Sequence, residues 1–217
     1  MSGAGAAGTR EQAVPEASAV PTGNTFDKYG SSNPVVRRLM TGFHRTLDEL
    51  WRKAAPRSIL DVGCGEGVLT CEWADRLDGG RIVGIDLDDE KLKAEWRSRS
   101  RANLEYRAEE ATSLSFADDE FDLATAIEVL EHVPDPEATL AEMARVAERH
   151  LLLSVPREPL WRALNMARGA YWKSLGNTPG HVNHWSKRSF VSLLSRYGTV
   201  EEARSPFPWT MLLVRVG

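Results

Sequence analysis

The chain has 217 residues, a hydrophobic fraction of 42% and a formal net charge of −4. That length and apolar content suffice for one full core, so a single α/β enzyme domain is expected, and the acidic balance argues against a general nucleic-acid binder. No apolar run approaches the length of a membrane span and no charged segment precedes an apolar core at the N-terminus, so no secretory leader is read and a cytoplasmic protein is expected.

Residues 1–24 are rich in Gly, Ala, Thr and Pro without a periodic apolar pattern. They cannot bury enough surface to offset ordering entropy and are expected to form a disordered tail, leaving 25–217 as the domain. A helix begins at Asn33-Pro34, carries Val35, Leu39, Phe43, Leu47 and Leu50 on one stripe, and stops at the Ala55-Pro56 break. Strands are predicted at 58–62, 81–86, 103–107, 121–126 and 150–155, with helices at 67–77, 89–98 and 136–147. Such alternation predicts an α/β fold on a parallel sheet. Cys64 and Cys71 match neither a disulfide framework nor a zinc spacing and are read as reduced thiols. After Pro156 the pattern changes to a helical segment, a Gly/Pro/His loop, a helix at about 186–197 and closing strands near 199–205 and 208–216.

The turn after the first strand reads Asp61-Val-Gly63-Cys64-Gly65-Glu66-Gly67, and Asp86 ends the second strand nineteen residues past Gly67. Glycines there let a ligand lie against the backbone, and an acid at that place can accept hydrogen bonds from two ribose hydroxyls. A similar turn holds a pyrophosphate in dinucleotide enzymes, but Asp61 and Glu66 would repel that dianion and suit a ligand bearing an ammonium and a sulfonium. S-adenosylmethionine has that charge pattern. The G-x-G-x-G spacing resembles that of class I S-adenosylmethionine-dependent methyltransferases, and further matches carry the resemblance from Phe26 to the C-terminus.

The resemblance implies a Rossmann-like, doubly wound, seven-stranded and mostly parallel sheet ending in an antiparallel hairpin. It implies a cofactor held by Asp61, Gly63, Cys64, Gly65, Gly67, Asp86 and Leu87. Phe26-Asp27-Lys28-Tyr29-Gly30 resembles a short aromatic segment folded over the cofactor's methionine end, so Tyr29 is either a lid residue or a hydrophobic staple. Glu110-Ala111, followed by Leu114-Ser115-Phe116, resembles the Asp-Ala-x-x-Leu-Pro-Phe segment that holds adenine. Glu110 would then accept the adenine amino group and the Ala111 amide would meet the ring, with Glu109 as the alternative acceptor. Glu128-Val-Leu-Glu131-His132-Val-Pro134-Asp-Pro136 resembles the ubiquinone-biosynthesis and general small-molecule methyltransferase groups.

Carboxyl ends of parallel strands face the ligand crevice, which places Ile127, Glu128 and His132 near the reactive end of the cofactor. A histidine suits proton removal from a hydroxyl, although His132 could equally serve its own turn. Glu128, Glu131 and His132 have the spacing of one helical face, and with distant His184 they resemble the magnesium site of small-RNA 2′-O-methyltransferases. Metal-free methyltransferases share the phrase, and no metal is expected.

The segment 157–188 holds six basic residues against one acid, with Trp161, Tyr171, Trp172 and Trp185 among them. It is read as an acceptor-binding lid whose aromatic walls and positive charge favour an anionic or aromatic small molecule. Leu160, Leu164, Ala167, Tyr171 and Leu175 form a stripe at helical spacing expected to pack the lid onto the core. His181 and His184 flank its glycine-containing loop, and the candidate general bases are ranked His181, His132, His184. The expected activity is methyl transfer from S-adenosylmethionine to a small-molecule hydroxyl, by a soluble chain compatible with a homodimer and with no nucleic-acid partner. An RNA 2′-O-methyltransferase and a cofactor-binding module without chemistry are the alternatives.

Overall fold

The computed structural model describes residues 33–167, 169 and 171–217. The tail read over 1–24 and the segment containing Tyr29 lie outside the described residues.

Helix α1 spans Pro34–Ala54. The Asn33 side chain accepts the Val35 N–H at 2.9 Å, and Pro34 sits in the first turn, where its missing N–H leaves no bond unmade. Met40, Phe43, Leu47, Leu50 and Ala54 form the buried stripe. Val35, expected on that stripe, is 64% exposed. The helical period carries the line from Met40 back to Val36, one residue round the helix from Val35.

Strands β1 (Ser58–Val62), β2 (Arg81–Asp86), β3 (Leu104–Ala108), β4 (Phe121–Ile127), β5 (Ala147–Pro156), β6 (Thr199–Arg204) and β7 (Trp209–Arg215) form one sheet in the order β3-β2-β1-β4-β5-β7-β6. The first five pair in parallel, while β7 runs antiparallel between β5 and β6. The expected mostly parallel, seven-stranded, doubly wound sheet with its terminal hairpin is the observed one.

Helices α2 (Val68–Arg76), α3 (Glu90–Ser98), α4 (Pro136–Val146), α5 (Leu160–Ala167) and α6 (Lys187–Leu194) complete the described helices, with a 3₁₀ turn at Trp172–Ser174. Successive strand residues point to opposite faces, so the sheet separates two cores. Ile59, Ile82, Leu123, Leu152 and Met211 pack with α1 and α2, whereas Leu60, Val83, Ala124, Leu151 and Leu212 pack with α4 and α6. Coverage of both faces explains why these strands read as nearly continuous apolar runs. No helix among the described residues is long and apolar enough to cross a membrane.

The helical stripe expected in the lid is corrected. Helix α5 ends at Ala167, and Tyr171 and Leu175 take left-handed backbone conformations on either side of the 3₁₀ turn, 40% and 66% exposed. Gly169 and Gly176, both at positive φ, interrupt the segment, so helical spacing in the sequence is not a continuous helix in space.

Candidate functional site

The strand order turns back between β1 and β4, which opens a crevice at their carboxyl ends. The glycine turn follows β1 on one side of this crevice. The segment Glu128–His132 follows β4 on the other.

The glycines of the turn are there for backbone geometry. Gly63 has φ 71°, and a Cβ on it would lie 2.5 Å from a Val129 methyl. Gly65 has φ 55° and nothing within 4 Å of where a Cβ would project, so this part of the loop is open to a ligand. The turn is tied to β2 by the N–H groups of Gly63 and Cys64, which both donate to the Ile85 carbonyl at 2.8 and 3.0 Å. Cys64 and Cys71 are both free thiols.

Asp86 stands at the end of β2 with its carboxylate already engaged by the chain. One oxygen accepts the Gly65 N–H at 2.7 Å and the other the Leu87 N–H at 2.8 Å. Each oxygen has a second lone pair, so two ribose hydroxyls can still be accepted. Burial, and then nearby Glu66 and Asp89, raise its pKa above the ordinary carboxylate value.

Asp61 lies deeper, only 3% exposed. Thr70 donates its hydroxyl to one oxygen at 2.6 Å and Thr125 to the other at 2.7 Å, which ties the end of β1 to α2 and β4. Burial pushes its pKa up from 3.8 to about 6, against the lowering effect of the two hydroxyls. Between those values the folded chain holds a proton that the unfolded chain has released, so stability falls as pH rises through that window, by about 3 kcal/mol in all. The Asp61→Asn variant should lack this slope. Urea titrations across the window should show the variant gaining on the parent as pH rises, and a constant difference would count against the assignment.

The loop after β3, which carries Glu109, Glu110 and Ala111, is held by α4. Glu142 accepts the Leu114 N–H at 2.8 Å, and Arg145 donates to the carbonyls of Leu114 and Phe116 at 3.1 and 2.8 Å. Arg145 also holds the Glu142 carboxyl down at a pKa of about 2. Glu109 accepts from the Ser115 hydroxyl at 2.8 Å and pairs with Arg107 at 3.6 Å. Glu110 is exposed and Ala111 half-buried.

After β4 the expected helical face is corrected. Residues 128–132 form a turn, and Glu128 has φ 60°, outside the helical range. Its carboxylate accepts the Trp209 indole N–H at 2.6 Å and the Ser154 hydroxyl at 2.9 Å, which carries it away from Glu131 and His132. Ile127, the last residue of β4, is half-buried against the α1 core.

Glu131, His132 and His181 come together instead, with their ligating atoms within 4.8 Å of one another. The histidine rings meet edge to face at 4.8 Å. His132 Nδ1 lies 3.0 Å from the Gly180 carbonyl, which can only accept; Nδ1 therefore carries the hydrogen, and neutral His132 keeps its lone pair on Nε2. Asn183 fastens the loop before α6 to this turn by donating to the Leu130 and Val133 carbonyls at 3.0 and 2.7 Å. Two imidazoles and a carboxylate of this span are a donor set able to hold a divalent cation. His184 does not join the group; it is exposed, with Nε2 on the Asn177 side-chain oxygen at 2.7 Å.

Beside the histidines runs an aromatic wall only partly foreseen. Trp161 stacks on His181 with ring centres 6.3 Å apart and meets Trp209 at 5.8 Å, and Trp209 meets Phe43 edge to face at 4.9 Å. Trp209 reaches this wall from β7, and no local motif marks it. Trp172, counted with the lid aromatics, is 64% exposed, and Trp185 packs on Phe190 instead.

A methyltransferase domain family matches residues 60–152. A ubiquinone biosynthesis O-methyltransferase of Methylococcus capsulatus is 41% identical over 162 residues, 66% of this chain and 67% of that protein. One from Hahella chejuensis is 41% identical over 106 residues, 47% of this chain but only 43% of its own length, so this chain spans less than half of that relative. The crystal structure of magnesium protoporphyrin IX methyltransferase from Synechocystis PCC 6803, solved with bound SAH, overlays with a TM-score of 0.64 over 87% of this chain and 90% of that one. Its 19% identity makes it a likeness of fold. The sheet, the open glycine turn with its terminal acid and these relatives agree: the chain belongs to the class I S-adenosylmethionine-dependent methyltransferases.

Proposed function

We propose that the chain moves the methyl group of S-adenosylmethionine to a hydroxyl oxygen of a small, flat acceptor. The observation that carries this reading is the junction of the His132–His181 pair with the Trp161–Trp209 wall. Asp86 binds the ribose, Glu110 and Ala111 the adenine, and the glycine turn with Leu87 the remainder of the nucleoside. When bound, the cofactor supplies an activated methyl group, so the protein's task is alignment, exclusion of water and removal of one proton. His181 or His132 accepts the hydroxyl proton at a ring nitrogen. Glu131, buried beside both rings, favours the resulting imidazolium. Trp161, backed by buried Trp209, holds the acceptor's face, and the 157–188 segment covers it. The relatives support the oxygen nucleophile by the reaction their names state.

Incubating the chain with methyl-labelled S-adenosylmethionine and a metabolite extract should yield a labelled small molecule bearing a new methyl ether. Label found only in RNA or in protein would overturn the reading.

A second reading is favoured by one observation, the span of Glu131, His132 and His181. In it these three residues would hold a divalent cation, which would supply Lewis-acid activation of the hydroxyl in place of a histidine base. Chelator separates the two: turnover is expected to survive it, whereas loss of turnover with recovery on adding a divalent cation would establish the metal-bound form.

A further inference from the structure

Two aromatic side chains outside the crevice place both of their polar ends on the glycine turn. The Trp96 indole N–H, from α3, donates to the Gly65 carbonyl at 2.8 Å. The Tyr106 hydroxyl, from β3, donates to the Gly67 carbonyl at 3.0 Å. Their rings lie parallel, 5.4 Å between centres and 4° between planes. The Tyr106 ring lies directly against two glycines. A Cβ on Gly67 would fall 2.4 Å from its hydroxyl oxygen, and one on Gly84 would fall 3.0 Å from its ring edge.

Packing alone does not ask for this arrangement at Tyr106, because phenylalanine would fill the same space. Trp96 is 6% exposed, and a buried indole N–H needs a partner. Both donors find theirs on alternate glycines of one short loop, from two different elements. Gly65 is consequently gripped on both sides, its carbonyl by Trp96 and its N–H by the Asp86 carboxylate.

We propose that Trp96 and Tyr106 are positioning residues for the cofactor: they fix the peptides at Gly65 and Gly67 and, through Gly65, the orientation of the Asp86 carboxylate that meets the ribose. This rests on the reading of the turn and Asp86 as the cofactor site. A loop fixed beforehand loses less freedom on binding, and glycines have the most to lose. Burial pushes the Tyr106 pKa up, which keeps its hydroxyl a donor.

The test is a double-mutant cycle read by calorimetric titration with S-adenosylhomocysteine. Trp96→Phe should raise Kd about tenfold, the scale of one buried hydrogen bond, and Tyr106→Phe by about threefold. In an Asp86→Asn background the Trp96→Phe effect should shrink to about twofold or less, because the carboxylate it orients is gone. A role confined to packing would lower Tm and leave the two losses independent. Equal losses in both backgrounds, or unchanged Kd in Trp96→Phe and Tyr106→Phe variants whose Tm matches the parent, overturn the proposal while the cofactor site stands. A parent chain that binds no S-adenosylhomocysteine overturns both. Should Trp96→Phe fail to fold, Tyr106→Phe, which keeps the ring, decides the outcome by its Kd.

Discussion

Replacing Asp86 with alanine should weaken S-adenosylmethionine binding by about 3 kcal/mol, on the order of a hundredfold, in a chain that still folds. The magnitude has two sources. The ribose loses a charged acceptor for its hydroxyls, and the N–H groups of Gly65 and Leu87 lose the partner that sets the loop. Asp86→Asn separates them in part, since its amide oxygen can keep one of the two amides. Calorimetric titration with S-adenosylmethionine and S-adenosylhomocysteine reads both variants. Unchanged affinity in folded Asp86→Ala, or tighter binding of NAD than of S-adenosylhomocysteine by the parent, would remove the cofactor site from this loop.

The second large effect is expected on turnover. His181→Ala or His132→Ala should lower kcat by about 10²- to 10⁴-fold with cofactor affinity nearly unchanged, the signature of a group that acts in proton transfer. His184→Ala should cost little, because that ring is exposed and turned onto Asn177. Trp161→Ala should raise the acceptor KM as well, since its ring both stacks on His181 and supplies binding area. Stopped assays with the identified acceptor separate these patterns. Full kcat in both His181→Ala and His132→Ala would show that alignment alone carries the rate.

What the sequence determined by itself is whatever depends on neighbours along the chain. Apolar periodicity places α1 and the five parallel strands to within a few residues, because each buries a face whose period is set by its own backbone. The turn at 63–67 is legible because positive φ is a local demand that glycine meets, and Asp86 because a strand's end in this topology faces the crevice. The tertiary structure decided the rest. Glu128 leaves its sequence neighbours for Trp209, 81 residues away, and His132 takes its hydrogen-bond partner from Gly180, 48 residues away. The regular spacing 128–131–132 implied a helical face that the positive φ of Glu128 breaks, so Glu131 and His132 meet His181 and not His184. The hydrogen bonds of Trp96 and Tyr106 to the glycine turn are likewise decided in space, since nothing in a sequence tells a buried ring from one whose polar end is directed at a carbonyl two elements away. Polar direction and long-range pairing are fixed only when the sheet closes, and that is why the fold was more legible than the site.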